Sequence, residues 1–95
     1  MSTKFFYICL MKQLSELARF FGKVLSEERK RVGFSQEKLA EAIDATNVFI
    51  CLLERGQRQP SLNTTILLAQ ALGLSPEELV ARVCRLLDKG KEQRA

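Results

Sequence analysis

Apolar positions recur along this chain at helical spacing, and no stretch alternates apolar and polar residues with the period of a strand. Leu14, Leu17, Phe21, Leu25 and Val32 form an apolar stripe that predicts a first helix over residues 14–32. Gly33 follows as a left-handed stop. Ser35 is placed to cap a short second helix over 36–43, with Leu39, Ala40 and Ile43 on one face. Asp44-Ala45 reads as a tight turn. Thr46 then caps a third helix over 47–54, with Ile50 and Leu53 inward and Gly56 at its end. The loop Gln57-Arg58-Gln59-Pro60 leads to Ser61, the cap of a fourth helix over 62–72. That helix places Ile66, Ala69 and Leu72 on one face, with Leu68 beside them, and Gly73 stops it. Ser75-Pro76-Glu77-Glu78 is a strong start signal: a cap, a proline at the first helical position and a glutamate that reaches back. Leu79, Val80, Val83, Leu86 and Leu87 are the apolar positions of the fifth helix, which is expected to end at Gly90. The pattern predicts an all-α, five-helix domain over residues 14–90, an N-terminal extension over 1–13 and a loose tail over 91–95.

The extension carries the seven-residue apolar run Phe5-Phe6-Tyr7-Ile8-Cys9-Leu10-Met11. It is too short to span a membrane, and no small-residue cleavage site follows it. It could pack on the core or on a second subunit, form a flexible arm, or lie ahead of a natural start at Met11.

Composition narrows the chemistry. The chain has 95 residues, 46% of them apolar, which suits one small domain that dimerisation would help stabilise. The net charge of +4 permits a nucleic-acid partner without requiring one. Its distribution is uneven: residues 19–31 and 82–94 each hold five basic against two acidic side chains, and the middle is nearly neutral. There is no histidine, and the three cysteines, Cys9, Cys51 and Cys84, are far apart. That spacing gives no zinc ligand set and no disulfide framework, and it points to a reducing, cytoplasmic setting. With no ready general base, an enzyme is the least favoured class. No cofactor and no metal are expected.

The informative stretch is residues 35–56. Two short capped helices are joined by a turn, and small Ala40 stands where they must approach closely. Leu39, Ile43, Ile50 and Leu53 would knit them to the first and fourth helices. The start of the third helix is then left projecting, and a projecting helix fits a major groove roughly 12 Å wide. Four motifs carry a resemblance: Gly33-Phe34-Ser35-Gln36-Glu37-Lys38-Leu39-Ala40, then Ile50 with Leu53-Glu54-Arg55-Gly56, then Pro60-Ser61-Leu62, then Leu68-Ala69-Gln70-Ala71-Leu72-Gly73-Leu74. Through them the segment from Phe21 to Val80 resembles the Cro/repressor (Xre) family of phage-repressor-like helix-turn-helix regulators. The run from Phe49 to Leu62 most resembles controller proteins of restriction–modification systems. The resemblance implies a transcription regulator that binds double-stranded DNA as a homodimer at a palindromic operator, with no membrane association.

It also implies roles. Gln36 is set against the DNA backbone, a position suited to a helix N-terminus. Thr46, Asn47, Val48 and Cys51 take the groove-facing positions. Asn47 is the best candidate for pairing with adenine, and Val48 and Cys51 could meet thymine methyls. Phe49 lies along the backbone or packs inward, and Leu52 is a groove contact or a core residue. Arg55, Gln57 and Arg58 follow as phosphate contacts. Glu54 is implied to pair with Arg29 in a structural ion pair. Asp44 stands where many members of the family have glycine, and aspartate tolerates that geometry. The third helix is poor in polar residues, so specificity is expected to lean on methyl contacts and DNA shape. Leu79, Val83, Leu86 and Leu87 could form a dimer interface across a two-fold axis, or only complete the monomer core. Glu37 and Glu41 could touch RNA polymerase. Two other readings stay open: an antitoxin-type regulator with a protein partner, and a protein-interaction module with a degenerate helix-turn-helix.

Overall fold

The computed structural model describes the backbone of residues 3–94 and the side-chain surroundings of residues 16–89. Five helices follow one another without a strand among the described residues: α1 (Thr3–Arg31), α2 (Gln36–Ala42), α3 (Asn47–Glu54), α4 (Leu62–Ala71) and α5 (Pro76–Arg94). The short helices start where side chains can satisfy orphan backbone donors. The hydroxyl oxygens of Ser35, Thr46 and Ser61 accept from the N–H groups of Lys38, Phe49 and Thr64. Ser75 accepts from the Glu78 N–H at 3.2 Å in the same way.

The helix ends share one closing geometry. Gly33, Gly56 and Gly73 have φ of 79°, 73° and 74°, and Asp44 takes the same left-handed conformation at φ 56°. After each, the next N–H turns back to a carbonyl five residues earlier: Phe34 to Arg29, Ala45 to Ala40, Gln57 to Leu52 and Leu74 to Ala69. Asp44 therefore serves as the glycine-like residue of the turn between α2 and α3.

The core forms where all five helices converge. Leu25, Leu39, Ile50, Leu53, Leu68 and Leu79 are fully buried, with Phe21, Val24, Ala40, Ala69, Leu72 and Val83 around them. α1 packs against both α3 and α5, and these in turn carry α2 and α4.

The structure departs from the sequence pattern in four places. α1 begins at Thr3 rather than near residue 14, because no glycine or proline interrupts the chain before Gly22. The apolar run at residues 5–11 lies in this first part of α1, and its side chains, like that of Leu14, lie outside the described residues. α5 runs through Gly90 to Arg94, because good helix formers follow and nothing forces a positive φ there. On α4, Thr65 is buried and Ile66 only partly so. The Thr65 hydroxyl donates to the Ser61 carbonyl at 2.9 Å, which satisfies it inside the fold. On α1, Glu28 is buried and shares its carboxylate between Arg31, at 2.6 Å, and Arg82 of α5. Arg82 also pairs with Glu78 at 3.1 Å.

Candidate nucleic-acid interface

α3 has eight residues, too few to be stable alone, so its position depends on what its inner face meets. Ile50 and Leu53 are wholly buried. Beneath its C-terminal end lies Gly22 of α1. A Cβ there would sit 2.6 Å from the Glu54 carbonyl oxygen and closer still to that of Leu53, so only glycine allows this approach. Just past the helix, a Cβ on Gly56 would lie 2.8 Å from the Arg19 Cα. Two glycines, one from each partner, set the contact of α1 with α3.

A polar clamp reinforces it. Arg29 Nε donates to Glu54 Oε2 at 2.6 Å and Nη2 to Oε1 at 3.1 Å, a bidentate pair. Arg29 Nη1 donates to the Phe34 carbonyl at 2.8 Å, which ties the α1–α2 turn to the same point. Gln36 Nε2 donates to Glu54 Oε1 at 3.0 Å. The side chains of Arg29 and Glu54 are 12% and 8% exposed, so this pair is nearly dry. Gln36, assigned to DNA from sequence, has one amide proton engaged on Glu54 and remains half-buried at the start of α2.

The outer face of α3 carries Val48, Cys51, Leu52 and Arg55 at i, i+3, i+4 and i+7 spacing, a single helical row. Val48 is 67% exposed, Arg55 is exposed, and Cys51 and Leu52 are half-buried. Thr46 and Asn47 stand exposed at the N-terminal end, the Thr46 oxygen already accepting from the Phe49 N–H. Phe49 is half-buried and packs against the core. Its ring also carries Arg58, whose guanidinium carbon lies 5.8 Å from the ring centroid. Phe49 thereby positions Arg58 beside the row, and Gln57 is exposed next to it.

The residues expected at a two-fold seam separate. Leu79 and Val83 are 0% and 7% exposed and belong to the core of the single chain, so they are not free to meet a second copy. Leu86 and Leu87 are half-buried, and Val80 is exposed. Val80 and Cys84 border a shallow apolar groove of about 170 Å³ with Leu17, Phe21 and Pro60. Among the described residues no cluster of side chains could hold a metal ion, and no helix is long and apolar enough to cross a membrane.

Gly22 escaped the sequence pattern as a positioning residue, although a glycine inside a helical stripe is itself a signal of close packing. The Glu28–Arg82 pair had no local signal, because its partners meet only in the fold.

The family model described as Helix-turn-helix matches residues 25–79. An uncharacterized HTH-type transcriptional regulator of Methanothermobacter thermautotrophicus is 42% identical over 50 residues, 53% of this chain and 72% of that protein. A putative adenylate kinase of Thermococcus onnurineus is 32% identical over 78 residues, 82% of this chain, and this chain spans only 41% of its length. The crystal structure of the restriction-modification controller protein C.AhdI from Aeromonas hydrophila superposes with a TM-score of 0.63 at 40% identity, covering 65% of this chain and 90% of that one.

Proposed function

This chain belongs to the helix-turn-helix family of transcriptional regulators, and we propose that it binds a palindromic operator as a homodimer through α3. The observation that carries the proposal is the two-sided construction of α3. Its inner face is locked by Gly22, Gly56 and the Arg29–Glu54 pair, while Asn47, Val48 and Arg55 stand exposed on a rigid base. Asn47 reads a base by the bidentate amide pairing that adenine accepts. Arg55, Arg58 and Gln57 hold phosphates and set the register, with Arg58 braced on Phe49. Gln36 completes the backbone contact, oriented by Glu54. In the dimer, Leu86, Leu87 and Val80 of α5 meet their copies, and the two α3 helices enter successive major grooves about 34 Å apart. The likeness to a restriction-modification controller supports a role of that kind for this chain. Glu37 and Glu41 are exposed on α2 and available to RNA polymerase.

Selection from a random duplex DNA library, followed by titration at several salt concentrations, tests the proposal. Enrichment of a palindrome with half-sites one turn apart is the expected result. Steeply salt-dependent binding that enriches no motif would instead leave a nonspecific basic surface and an apolar α3 suited to a protein partner.

A further inference from the structure

The apolar run at residues 5–11 has no part in the reading of DNA, and it lies outside the family match at residues 25–79. Its backbone belongs to α1, a single helix of 29 residues and therefore about 43 Å long. The chain measures 46 × 23 × 19 Å, so only its long axis can hold such a helix. Among the described residues, the core takes up α1 from Leu17 onward. Residues 3–16 add about 21 Å of helix ahead of that point. Seven consecutive apolar positions cover two turns of helix on every side, a pattern that belongs to buried helices.

A second uncovered apolar feature lies where α1 enters the core. Leu17, Phe21, Pro60, Val80 and Cys84 line a groove of about 170 Å³. It is open at Val80, which is 46% exposed, and at the exposed Cys84. The run cannot fill the groove of its own chain. Leu17 and Phe21 are groove walls on the same helix, so the run lies farther along the axis and not across the opening. Each feature lacks what the other offers, and a second copy brings the two together. We infer that the N-terminal turns of α1 dock in the groove of a second copy, and that a two-fold axis makes the exchange reciprocal. Such a pairing covers both features in both copies and leaves no open end. The inference rests on the homodimer reading. Val80, placed above at the seam between copies, makes the groove continuous with that interface.

The chain carries its own reporters, Cys9 in the run and Cys84 on the groove. Within one chain Cys9 lies about 12 Å farther along α1 than Leu17. That exceeds the roughly 7 Å between Cα atoms that a disulfide can bridge. The full chain is oxidised mildly, covalent dimers are isolated under denaturing conditions, and the linked peptides are mapped. Cys9–Cys84 links are the expected product, and a short bis-maleimide repeats the measurement with less demanding geometry. Covalent dimers without a Cys9–Cys84 product from either reagent overturn the exchange and leave a dimer joined along α5. A second measurement is the dimer dissociation constant of Ile8→Glu by sedimentation. It should rise by about 100-fold, because one buried side chain is lost at each of two symmetric contacts. An unchanged constant overturns the exchange and leaves the α5 seam standing. A parent chain that stays monomeric at every concentration brings down the homodimer reading and this inference together.

Discussion

The two faces of α3 obey opposite rules. On the inner face every position is spoken for: Ile50 and Leu53 are fully buried, the last two carbonyls rest on Gly22, and Glu54 is held by Arg29 and Gln36. On the outer face Val48 and Arg55 touch little of the domain. An eight-residue helix cannot hold its shape in water by itself, so all of its order comes from the inner face. The outer residues are then free to be chosen for a ligand. The difference teaches that the precision of a reading surface can be located entirely behind it.

Substitutions on either side should separate cleanly. The largest loss is expected from Glu54→Ala, which strands the nearly buried Arg29 and releases Gln36. Removing one partner of a buried pair costs about 3–5 kcal/mol, readable as a lower urea midpoint. Gly22→Ala comes next. Its methyl cannot fit against the Leu53 and Glu54 carbonyls without moving α3, at about 1–3 kcal/mol. DNA affinity should fall further than stability alone accounts for, because the helix shifts. Glu28→Gln, in the cluster that fastens α5 to α1, should cost about 1 kcal/mol and leave operator affinity unchanged, since Arg31 and Arg82 can reach water. Arg58→Ala on the outer side should leave stability within about 0.5 kcal/mol of the parent. It should weaken binding to all duplexes alike and lower the slope of log affinity against log salt by about two, one for each subunit. If Arg58→Ala destabilised the fold as much as Glu54→Ala, the division between the faces would fail.

The same division sets how much was legible in the sequence. Caps and stops are local, and Ser35, Thr46, Ser61 and Ser75 act where the pattern puts them. Gly33, Gly56 and Gly73 close helices at positive φ, each with a capping serine or a proline two to four residues on. Gly90 is followed by Lys91-Glu92-Gln93-Arg94, and the helix continues. A glycine permits a stop, and its successors decide whether one occurs. The inner and outer sides of α3 could be placed from helical periodicity together with family likeness. What could not be read is tertiary: the fit of Gly22 beneath α3, the bridge from Glu28 to Arg82, and the burial of Thr65 in place of Ile66. Leu79 and Val83 belong to this group as well. A helical stripe gives a direction, but only the fold tells whether the surface it meets belongs to the same chain.

The most direct test of the central claim is the ratio of affinities for the selected operator and for a scrambled duplex, measured for the parent and for Asn47→Ala. Asn47 is exposed, so its loss should leave the fold intact. The account predicts that the ratio collapses by about 30-fold or more, the worth of two bidentate base contacts, one from each subunit, while binding to the scrambled duplex is retained. An unchanged ratio would contradict it, because the start of α3 would then not be what reads the sequence.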